Sequence, residues 1–600
     1  MLRNLTELFT LLTRKQRRGL LWLQLLVVLM AFAEVTAVVA FGPFMALVGD
    51  IERLDTSSPL VRVYTELGFE DPLNFLFWMG LAVLGVLVLA SFISMYTVWR
   101  LSVYGQQVGA EIGMRLYQHY MGKPWLFHAQ GSSAHLTSKI SQECTRITEK
   151  VIAPLMKMNA RVVMAVFMIG AVFLYNPAVA ATGVLFFILA YVFLYMTVRR
   201  RLTRYGVSIS RTQSERFKLM AEGFGGVKDV LVLGRQPVFN GRFATASRTL
   251  GRARGVSKAL SEVPRYAMEL IAFTSVIFLL IYLLNTYDGD LGKILPLISI
   301  YALAGIKLLP AFQQIYACIS TIKSNLSAFD AIREDLLESR HAEPEVQEDD
   351  RLHECLVPKA SISLQDVTFH YPGDRLPVVE GISLSVPANT VVGIVGPSGA
   401  GKSTLIDILL GLIVPDEGVV RIDDVPLTDE NRRSWQNCLG FVSQSIFLAD
   451  ASIRENIAFG LPQDEIDHER VERAAEMAHL GSLLSQLRDG LDTRVGERGI
   501  QLSGGQRQRI GIARALYDDA KVLILDEATS ALDGITEQGV MESIHEFNGR
   551  KTIVMIAHRL TTVKRCDVIY VIEDGHVSDW GSYDELSRRN LIFQRMAHHG

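Results

Sequence analysis

Six long apolar stretches in the first half of the chain constrain its fold more than any other feature. They lie at roughly 20–48, 74–99, 151–175, 178–197, 266–285 and 293–320. Each supplies about the 20 apolar residues that a helix needs to cross a bilayer. The second half has the mixed pattern of a soluble α/β domain. Because 600 residues are also too many for a single core, the sequence predicts a six-helix all-α transmembrane domain followed by a soluble domain.

Basic residues predict the side of the membrane on which each connection lies. Lysine and arginine concentrate in the cytoplasmic segments of membrane proteins. They precede the first span and are frequent in the connection 198–262, whereas the segment after the first span is acidic. We therefore expect the N-terminus, that connection and the soluble domain in the cytoplasm. The first span is longer than the core of a signal peptide and no cleavage site follows it, so we expect it to be retained.

The connections between spans 2 and 3 and between spans 4 and 5 are long, polar and helical in pattern. We expect the helices to continue well past the bilayer and to end in short turns, near 125–135 and 222–230, that touch the soluble domain. Two independent cytosolic hairpins are the alternative.

A short amphipathic helix is predicted outside the membrane at about 58–69. Ser58 suits its N-cap and Pro59 its first position. This helix could lie in the outer membrane interface, or it could pack on the spans. The residues that share one of its faces are Leu60, Val63, Tyr64 and Leu67.

A polar, acidic stretch separates the two halves. We predict a transmembrane domain at 1–333, a linker at 334–360 that contains Pro344 and Pro358, and a soluble domain at 361–600. The net charge of −3 decides little about partners. The cysteines have no paired spacing, so we expect reduced thiols, without a disulfide framework or a zinc site. They are Cys144, Cys318, Cys355, Cys438 and Cys566.

The segment 396–403, G-P-S-G-A-G-K-S, matches the phosphate-binding loop pattern. It follows the apolar stretch 390–395 and opens a predicted helix at 403–412. In such a loop, backbone N–H groups and the helix dipole bind phosphates. We expect Lys402 to reach the terminal phosphates and Ser403 to bind Mg²⁺. The predicted nucleotide contacts here are Gly396, Ser398, Gly399, Ala400, Gly401, Lys402, Ser403 and Thr404.

Two further segments complete a predicted P-loop ATPase domain. The buried strand 521–527 ends in Asp526, which suits the Mg²⁺ shell, and Glu527, which suits the general base for water. The segment 502–506, L-S-G-G-Q, lies just before a predicted helix at 507–517 and offers a second anion-binding site at the start of that helix. A glycine turn that only caps the helix is the alternative for this segment. Its predicted nucleotide contacts are Ser503, Gly504, Gly505 and Gln506.

With these motifs in this order, the chain resembles an exporter-type half transporter of the ATP-binding cassette family over essentially its whole length. The resemblance implies that Tyr371 stacks on adenine, that Gln444 senses Mg²⁺, and that the loop 494–499 contacts the membrane domain. It also implies that Asp533 lies in a loop that crosses the dimer and that His558 holds the γ-phosphate, with a catalytic role beside Glu527 and Lys402.

In that family, the 502–506 segment of one subunit closes over the phosphate loop of the other. One set of motifs per chain therefore implies a homodimer with two composite sites for ATP and Mg²⁺. The other partners that we expect are membrane lipids and a transported substrate, and no nucleic acid.

Charges inside the spans are the best indication of the substrate. Each costs about 3 kcal/mol if it faces lipid, so such residues usually face a cavity. The candidates are Glu34, Arg100, Arg265 and Lys307. Snorkelling is an alternative for Arg100 and Arg265, and pairing with Glu269 is another for Arg265.

The membrane half also resembles the lipid-linked oligosaccharide flippases of bacterial protein N-glycosylation. The resemblance rests on three parts of the sequence. They are Glu34 with residues 43–44, residues 263–266, and the stretch from residues 299–303 through residues 307–310. It implies a flippase in the bacterial cytoplasmic membrane in which cavity arginines bind the diphosphate of a polyprenyl-linked glycan. Arg265 matches one of these arginines, but Lys307 replaces another, so bidentate phosphate binding is lost there.

Three other functions remain open from the sequence. They are export of a lipopolysaccharide precursor or of a hydrophobic drug, and an ATP-gated channel. Intact residues at the hydrolytic positions argue against a channel.

Overall fold

The computed structural model divides the chain into two compact units, Met1–Lys123 with Gln130–Glu343, and Pro124–Ala129 with Pro344–Gly600. The structure describes residues 2–49, 64–66, 68–69, 71–175, 177–286, 291–341, 354–496, 499, 502–529, 532, 534–557 and 559–599.

The first unit is helical throughout its described residues. The predicted spans fall on six long helices, Arg14–Gly49, Pro72–Met121, Ala153–Tyr175, Pro177–Gly225, Pro264–Thr286 and Leu291–His341. By length and composition, the described residues contain three helices that could cross a membrane, at Arg14–Met45, Pro72–Met121 and His135–Leu174. The helices up to the domain boundary are α1 (Leu2–Leu11), α2 (Arg14–Gly49), α3 (Pro72–Met121), α4 (Trp125–Gln130), α5 (Ser133–Ser138), α6 (Cys144–Ile147), α7 (Ala153–Tyr175), α8 (Pro177–Gly225), α9 (Val227–Val232), α10 (Gln236–Glu262), α11 (Pro264–Thr286) and α12 (Leu291–His341).

Three of these helices are much longer than a bilayer requires. Helices α3, α8 and α12 contain 50, 49 and 51 residues. At 1.5 Å per residue, each is about 75 Å long, more than twice the roughly 30 Å of the hydrocarbon core. The prediction that the helices extend past the spans and end in short turns is confirmed, since the short helices α4, α5 and α9 follow α3 and α8.

The first of these turns belongs to the ATPase unit. Leu126 in α4 packs against the core of that unit, and the Trp125 side chain hydrogen-bonds the carboxylate of Asp407. The predicted contact between this turn and the soluble domain is therefore confirmed. Burial raises the pKa of Asp407, and the bond from Trp125 opposes that rise.

Residues 58–63 and 67 of the predicted outer helix lie outside the described residues. The described end of the segment packs on the spans. The ring of Tyr64 lies edge-on to Phe75, with centroids 5.3 Å apart, and Phe69 contacts the same ring at 5.4 Å. Leu47 of α2 completes this small apolar cluster.

The second unit contains two sheets. A six-stranded sheet has the order β10-β9-β3-β8-β7-β6 and a four-stranded antiparallel sheet has the order β2-β1-β4-β5. The strands are β1 (Ser361–Phe369), β2 (Val379–Pro387), β3 (Val391–Val395), β4 (Glu417–Ile422), β5 (Val425–Pro426), β6 (Leu439–Val442), β7 (Val522–Asp526), β8 (Thr552–Ile556), β9 (Val568–Glu573) and β10 (His576–Gly581).

Helices surround the six-stranded sheet. Strands β3, β7 and β8 are buried along their whole length, which explains their continuous apolar sequences, since parallel strands are covered on both faces. The helices are α13 (Lys402–Leu409), α14 (Arg432–Gln436), α15 (Ile453–Ile457), α16 (His468–Met477), α17 (Gly481–Leu484), α18 (Gly504–Tyr517), α19 (Gly534–His545), α20 (Leu560–Val563), α21 (Tyr583–Arg589) and α22 (Leu591–His599).

The last helix of the membrane domain extends past the predicted end of that domain at 333, and the division between the units falls inside the predicted linker 334–360. Helix α12 continues to His341, and the division between the units falls between Glu343 and Pro344. The predicted end of the membrane domain at 333 is therefore inside a helix. The acidic residues that suggest a linker partly occupy the last turns of α12.

Candidate functional site

The phosphate loop connects β3 to α13, and glycine is required at its two ends. Gly396 has φ +158° and Gly401 has φ +91°. A Cβ atom at Gly396 would lie 2.1 Å from the carbonyl oxygen of Ile572, and one at Gly401 would lie 2.6 Å from that of Val378. Any larger residue would push the loop away from β9 or β2. The exposed stretch 397–399 between them leaves backbone N–H groups accessible, as phosphate binding requires.

Lys402 at the first position of α13 is the buried cation of the loop. Its side chain is 6% exposed, and its Nζ donates to the carbonyl oxygens of Gly396 (2.9 Å) and Pro397 (2.8 Å). Burial lowers the pKa of Lys402, while the nearby carboxylates of Glu527 and Asp526 raise it. The structure thus brings Lys402 close to two predicted carboxylates that lie more than a hundred positions later in the sequence.

The two carboxylates lie at the carboxyl end of β7. Asp526 is the last residue of the strand and pairs with Ile556 of β8. Glu527 follows with φ +50°, a strained conformation that is common at functional sites. The Glu527 carboxylate accepts a hydrogen bond of 2.7 Å from the Nε2 atom of Gln444. Gln444 follows β6, the neighbouring strand, so adjacent parallel strands place these two side chains together.

Tyr371 and Thr404 are also brought together. The Tyr371 hydroxyl lies 3.2 Å from the Thr404 Oγ1 atom on α13. The Tyr371 ring packs edge-on against Phe369, with centroids 5.2 Å apart. The residue predicted to stack on adenine therefore lies beside the helix that follows the phosphate loop.

The 502–506 segment forms a capping box at the start of α18. The Ser503 Oγ atom accepts a hydrogen bond from the backbone N–H of Gln506 (3.2 Å), and the Gln506 side chain accepts one from the backbone N–H of Ser503 (2.8 Å). Gly504 and Gly505 occupy the first turn. The segment therefore caps the helix, as the alternative interpretation holds. The N-terminus of this 14-residue helix can also bind an anion.

His558 and Asp533 lie outside the described residues, and so do 497–498 and 530–531. Their predicted roles therefore stay predictions.

Charged residues of the membrane half form a pair between helices. The Lys307 Nζ atom on α12 lies 3.5 Å from the Glu34 Oε2 atom on α2. Glu34 is 7% exposed, and its other oxygen accepts a hydrogen bond of 2.8 Å from Ser94 on α3. Lys307 is therefore not an isolated cation, because a buried carboxylate on a neighbouring helix neutralises it.

Arg265 forms the predicted pair with its neighbour on α11. Its Nε atom lies 2.7 Å from the Glu269 Oε1 atom, and this oxygen also lies 3.4 Å from the Nε2 atom of Gln313 on α12. The Arg265 side chain remains mostly exposed. Arg100 is exposed on α3. The pairing of Arg265 with Glu269 is the alternative that the sequence left open.

Two polar contacts were not predicted. Arg161, inside the third apolar stretch, donates to Gln314 of α12 at 2.6 Å. A charge within a span is the sequence signal that points to this residue. Gln508 in α18 donates to the carbonyl oxygen of Glu527 at 3.4 Å. No local sequence pattern indicates this second contact, because it depends on how α18 packs beside β7.

The fold and this site define a P-loop ATPase joined to a helical membrane domain. Residues 379–530 match the family model of the ABC transporter, and residues 21–304 match that of the ABC transporter transmembrane region. The chain belongs to the ABC transporter family. It has the size of a half transporter and the fold of an exporter, and it is an ATP hydrolase coupled to transport.

Its relatives cover nearly the whole chain. The ATP-dependent lipid A-core flippase of Photorhabdus laumondii is 29% identical over 556 residues, 91% of this chain and 92% of the relative. The ATP-dependent lipid A-core flippase of Salmonella typhimurium is 29% identical over 528 residues, 87% and 88% of the two chains. The solved structure of a bacterial Atm1-family ABC exporter with ATP bound superimposes with a TM-score of 0.78 at 25% identity, over 97% of this chain and 98% of that one.

Proposed function

We propose that this chain is an ATP-driven flippase that moves a polyprenyl-diphosphate-linked oligosaccharide across the cytoplasmic membrane of a bacterium. The main support is the Glu34–Lys307 ion pair between α2 and α12. An ion pair among apolar helices is expensive to desolvate and is usually retained for a function. A substrate with a membrane-soluble tail and an anionic head would explain a cation at this place.

Along the helix axes, one apolar layer of side chains lies on each side of the ion pair. Ala31 and Ala311 pack with Met164 in one layer, and Val38 and Ala304 pack with Met168 in another. Glu34 and Lys307 lie between these layers in sequence on α2 and α12. The pair is thus the polar centre of a seam formed by α2, α7 and α12.

Two of the three candidate cations are neutralised by carboxylates, Lys307 by Glu34 and Arg265 by Glu269. An anionic diphosphate could replace either carboxylate as the partner of its cation. Helix α12 also contacts both carboxylates, through Lys307 and through Gln313. A movement of α12 would therefore change both pairs together, which suits alternate binding and release of an anion.

A second candidate substrate is a glycolipid of the lipopolysaccharide pathway. It is favoured by the relatives, which are named ATP-dependent lipid A-core flippases. Both candidates are lipid-linked amphiphiles, and the test below separates them by the lipid that is supplied.

Removing the cations should abolish transport. In proteoliposomes, Lys307→Ala or Arg265→Ala should reduce flipping of a fluorescent polyprenyl-diphosphate oligosaccharide at least tenfold, because a diphosphate needs cations in a low-dielectric region. Lys307→Arg should retain flipping, since it keeps the charge and adds bidentate geometry.

Lys258→Ala is the matched control, since it removes an exposed cation, 4.0 Å from the carboxylate of Glu262, from α10 outside the predicted spans. Substrate-free ATPase is measured in parallel to show that each variant is folded. Full flipping by the Arg265→Ala, Lys307→Ala double variant would contradict the cation-binding role. Flipping of lipid A-core alone by the wild-type protein would favour the second candidate.

For the ATPase site, the proposed roles follow the geometry. Glu527 acts as the general base, and the bond from Gln444 orients its carboxylate. Lys402 would leave its two carbonyl partners to bind the terminal phosphates. Tyr371 would stack on the adenine. His558 would hold the γ-phosphate, and Asp533 would lie at the dimer contact.

Mg²⁺ would be bound by oxygen ligands at the same end of the sheet. The Ser403 hydroxyl is exposed at the start of α13, and Asp526 ends β7 close enough to Lys402 to shift its pKa. The amide oxygen of Gln444 is a further acceptor, because Gln444 uses its Nε2 atom to bind Glu527. Hard oxygen donors are what Mg²⁺ prefers, and the bound ion would neutralise phosphate charge.

The functional form is proposed to be a homodimer. The second cytoplasmic turn, around α9, exposes large apolar side chains, with Phe224 77% and Val232 79% accessible. The first turn, by contrast, packs on the ATPase unit. The ATPase domain of a second copy would cover the apolar turn. We propose that this turn, the N-terminus and the ATPase domain lie in the cytoplasm, because the connection that contains the turn is rich in basic residues.

A further inference from the structure

The end of the linker is fixed to the ATPase domain beside a second cysteine. The backbone N–H of Leu356 donates to the carbonyl oxygen of Ser434 at 3.0 Å. The adjacent Cys355 Sγ atom lies 3.5 Å from the carbonyl oxygen of Asn437. These contacts place Cys355 against the residue that immediately precedes Cys438.

The Cys438 thiol lies on the same side of this turn. Its Sγ atom donates to the carbonyl oxygen of Ser434 at 3.4 Å, the same oxygen that binds the linker. The Cys355 thiol is also close enough to contribute to the raised pKa of Cys438. Cysteines that are far apart in sequence are therefore neighbours, although both are reduced in this structure.

We propose that Cys355 and Cys438 form a reversible intramolecular disulfide that fastens the linker to the ATPase domain under oxidising conditions. Cytosolic disulfides in most organisms are transient and redox-sensing, and an exposed thiol beside a second cysteine is the arrangement that such sensors use. The oxidant is a peroxide.

The exposure of the two thiols sets the order of the steps. Cys355 is exposed, whereas Cys438 is 1% exposed, and burial, together with the nearby Cys355, raises the pKa of Cys438. The Cys355 thiolate attacks one peroxide oxygen, the O–O bond breaks, and Cys355 becomes a sulfenic acid while hydroxide leaves. The Cys438 sulfur then attacks the Cys355 sulfur, and water leaves with the Cys438 proton. Two thiols and one hydrogen peroxide thus give one disulfide and two waters.

The disulfide would act on strand β6 of the ATPase domain, which leads to the candidate ATP site. Cys438 directly precedes β6, and β6 leads to Gln444, which binds Glu527. The backbone oxygen of Cys438 also accepts from the N–H groups of Lys521 and Val522 at the start of β7. The disulfide would therefore join the linker to the pair of strands that position the candidate general base.

The test is oxidation of the purified full-length protein in lipid nanodiscs with hydrogen peroxide. We expect a peptide that contains the 355–438 disulfide in mass spectra and the loss of two titratable thiols, both reversed by dithiothreitol. The disulfide would close a long loop between residues 355 and 438 in the unfolded chain. This should raise the unfolding midpoint temperature of the oxidised protein by roughly 5 °C. Cys355→Ser and, separately, Cys438→Ala should each abolish the disulfide and the rise in the midpoint.

Cys318→Ser is the matched control, because it removes a cysteine of the membrane half and should leave both readouts unchanged. A sulfinic or sulfonic acid at Cys355 without the disulfide would overturn the proposal. A disulfide between two chains through Cys355, visible as a dimer on a non-reducing gel, would also overturn it. Cys355→Ser replaces an exposed side chain, so failure of the protein to fold will not obscure the result.

Discussion

Glu527→Gln should abolish ATP turnover while ATP still binds. The substitution keeps the size of the side chain and an oxygen that can accept from Gln444, but it removes the carboxylate that we propose takes the proton from water. Loss of a general base typically lowers a rate by about 10²–10⁴. Since Lys402 and the glycine loop are unchanged, nucleotide affinity should be retained.

Phosphate release and nucleotide binding by the purified full-length variant measure the two effects separately. Glu417→Gln is the matched control, because it makes the same chemical change on the exposed edge of β4, and it should turn over normally. Near-normal phosphate release by Glu527→Gln would remove Glu527 from the role of general base. If the variant loses both ATP binding and ATP turnover, the carboxylate is needed instead to hold the phosphate loop.

The parts of the fold that follow from local patterns could be predicted from the sequence. Apolar stretches placed all six long helices, and the lengths of the polar connections predicted that these helices extend beyond the bilayer. The phosphate loop was predictable because its glycines, its preceding strand and its following helix are contiguous. The Ser503 capping box was also predictable in principle, since it needs only a serine and a glutamine three positions apart.

Contacts between distant elements were not predictable in the same way. Lys307 was predicted as a cavity cation, but nothing in the periodicity of α12 indicates that Glu34 of α2 lies opposite it. Likewise, the cysteine spacing suggested five unrelated thiols, and only the return of the linker to the turn after α14 places Cys355 beside Cys438. A helical pattern fixes which residues share a face, whereas the neighbour of that face depends on tertiary packing.

If the ATP site is composite, two preparations of identical composition should differ strongly in ATPase activity. The substitutions are Lys402→Ala, which removes the phosphate-loop cation, and Ser503→Asp. Aspartate keeps an N-cap acceptor for α18, so the helix should remain intact, but its negative charge should repel the phosphates. Heterodimers are purified through two different affinity tags, with the substitutions either on separate chains or together on one chain.

With the substitutions on separate chains, one composite site contains both changes and the other contains an intact phosphate loop and an intact 502–506 segment. With both on one chain, and a wild-type partner, each composite site contains one change. We therefore expect about half of wild-type ATPase in the first arrangement and almost none in the second. If each chain held a complete site by itself, the wild-type partner would make the second arrangement active and the first inactive. The reverse pattern would thus reject the composite site, and it could not be attributed to misfolding, because both preparations contain the same two substitutions.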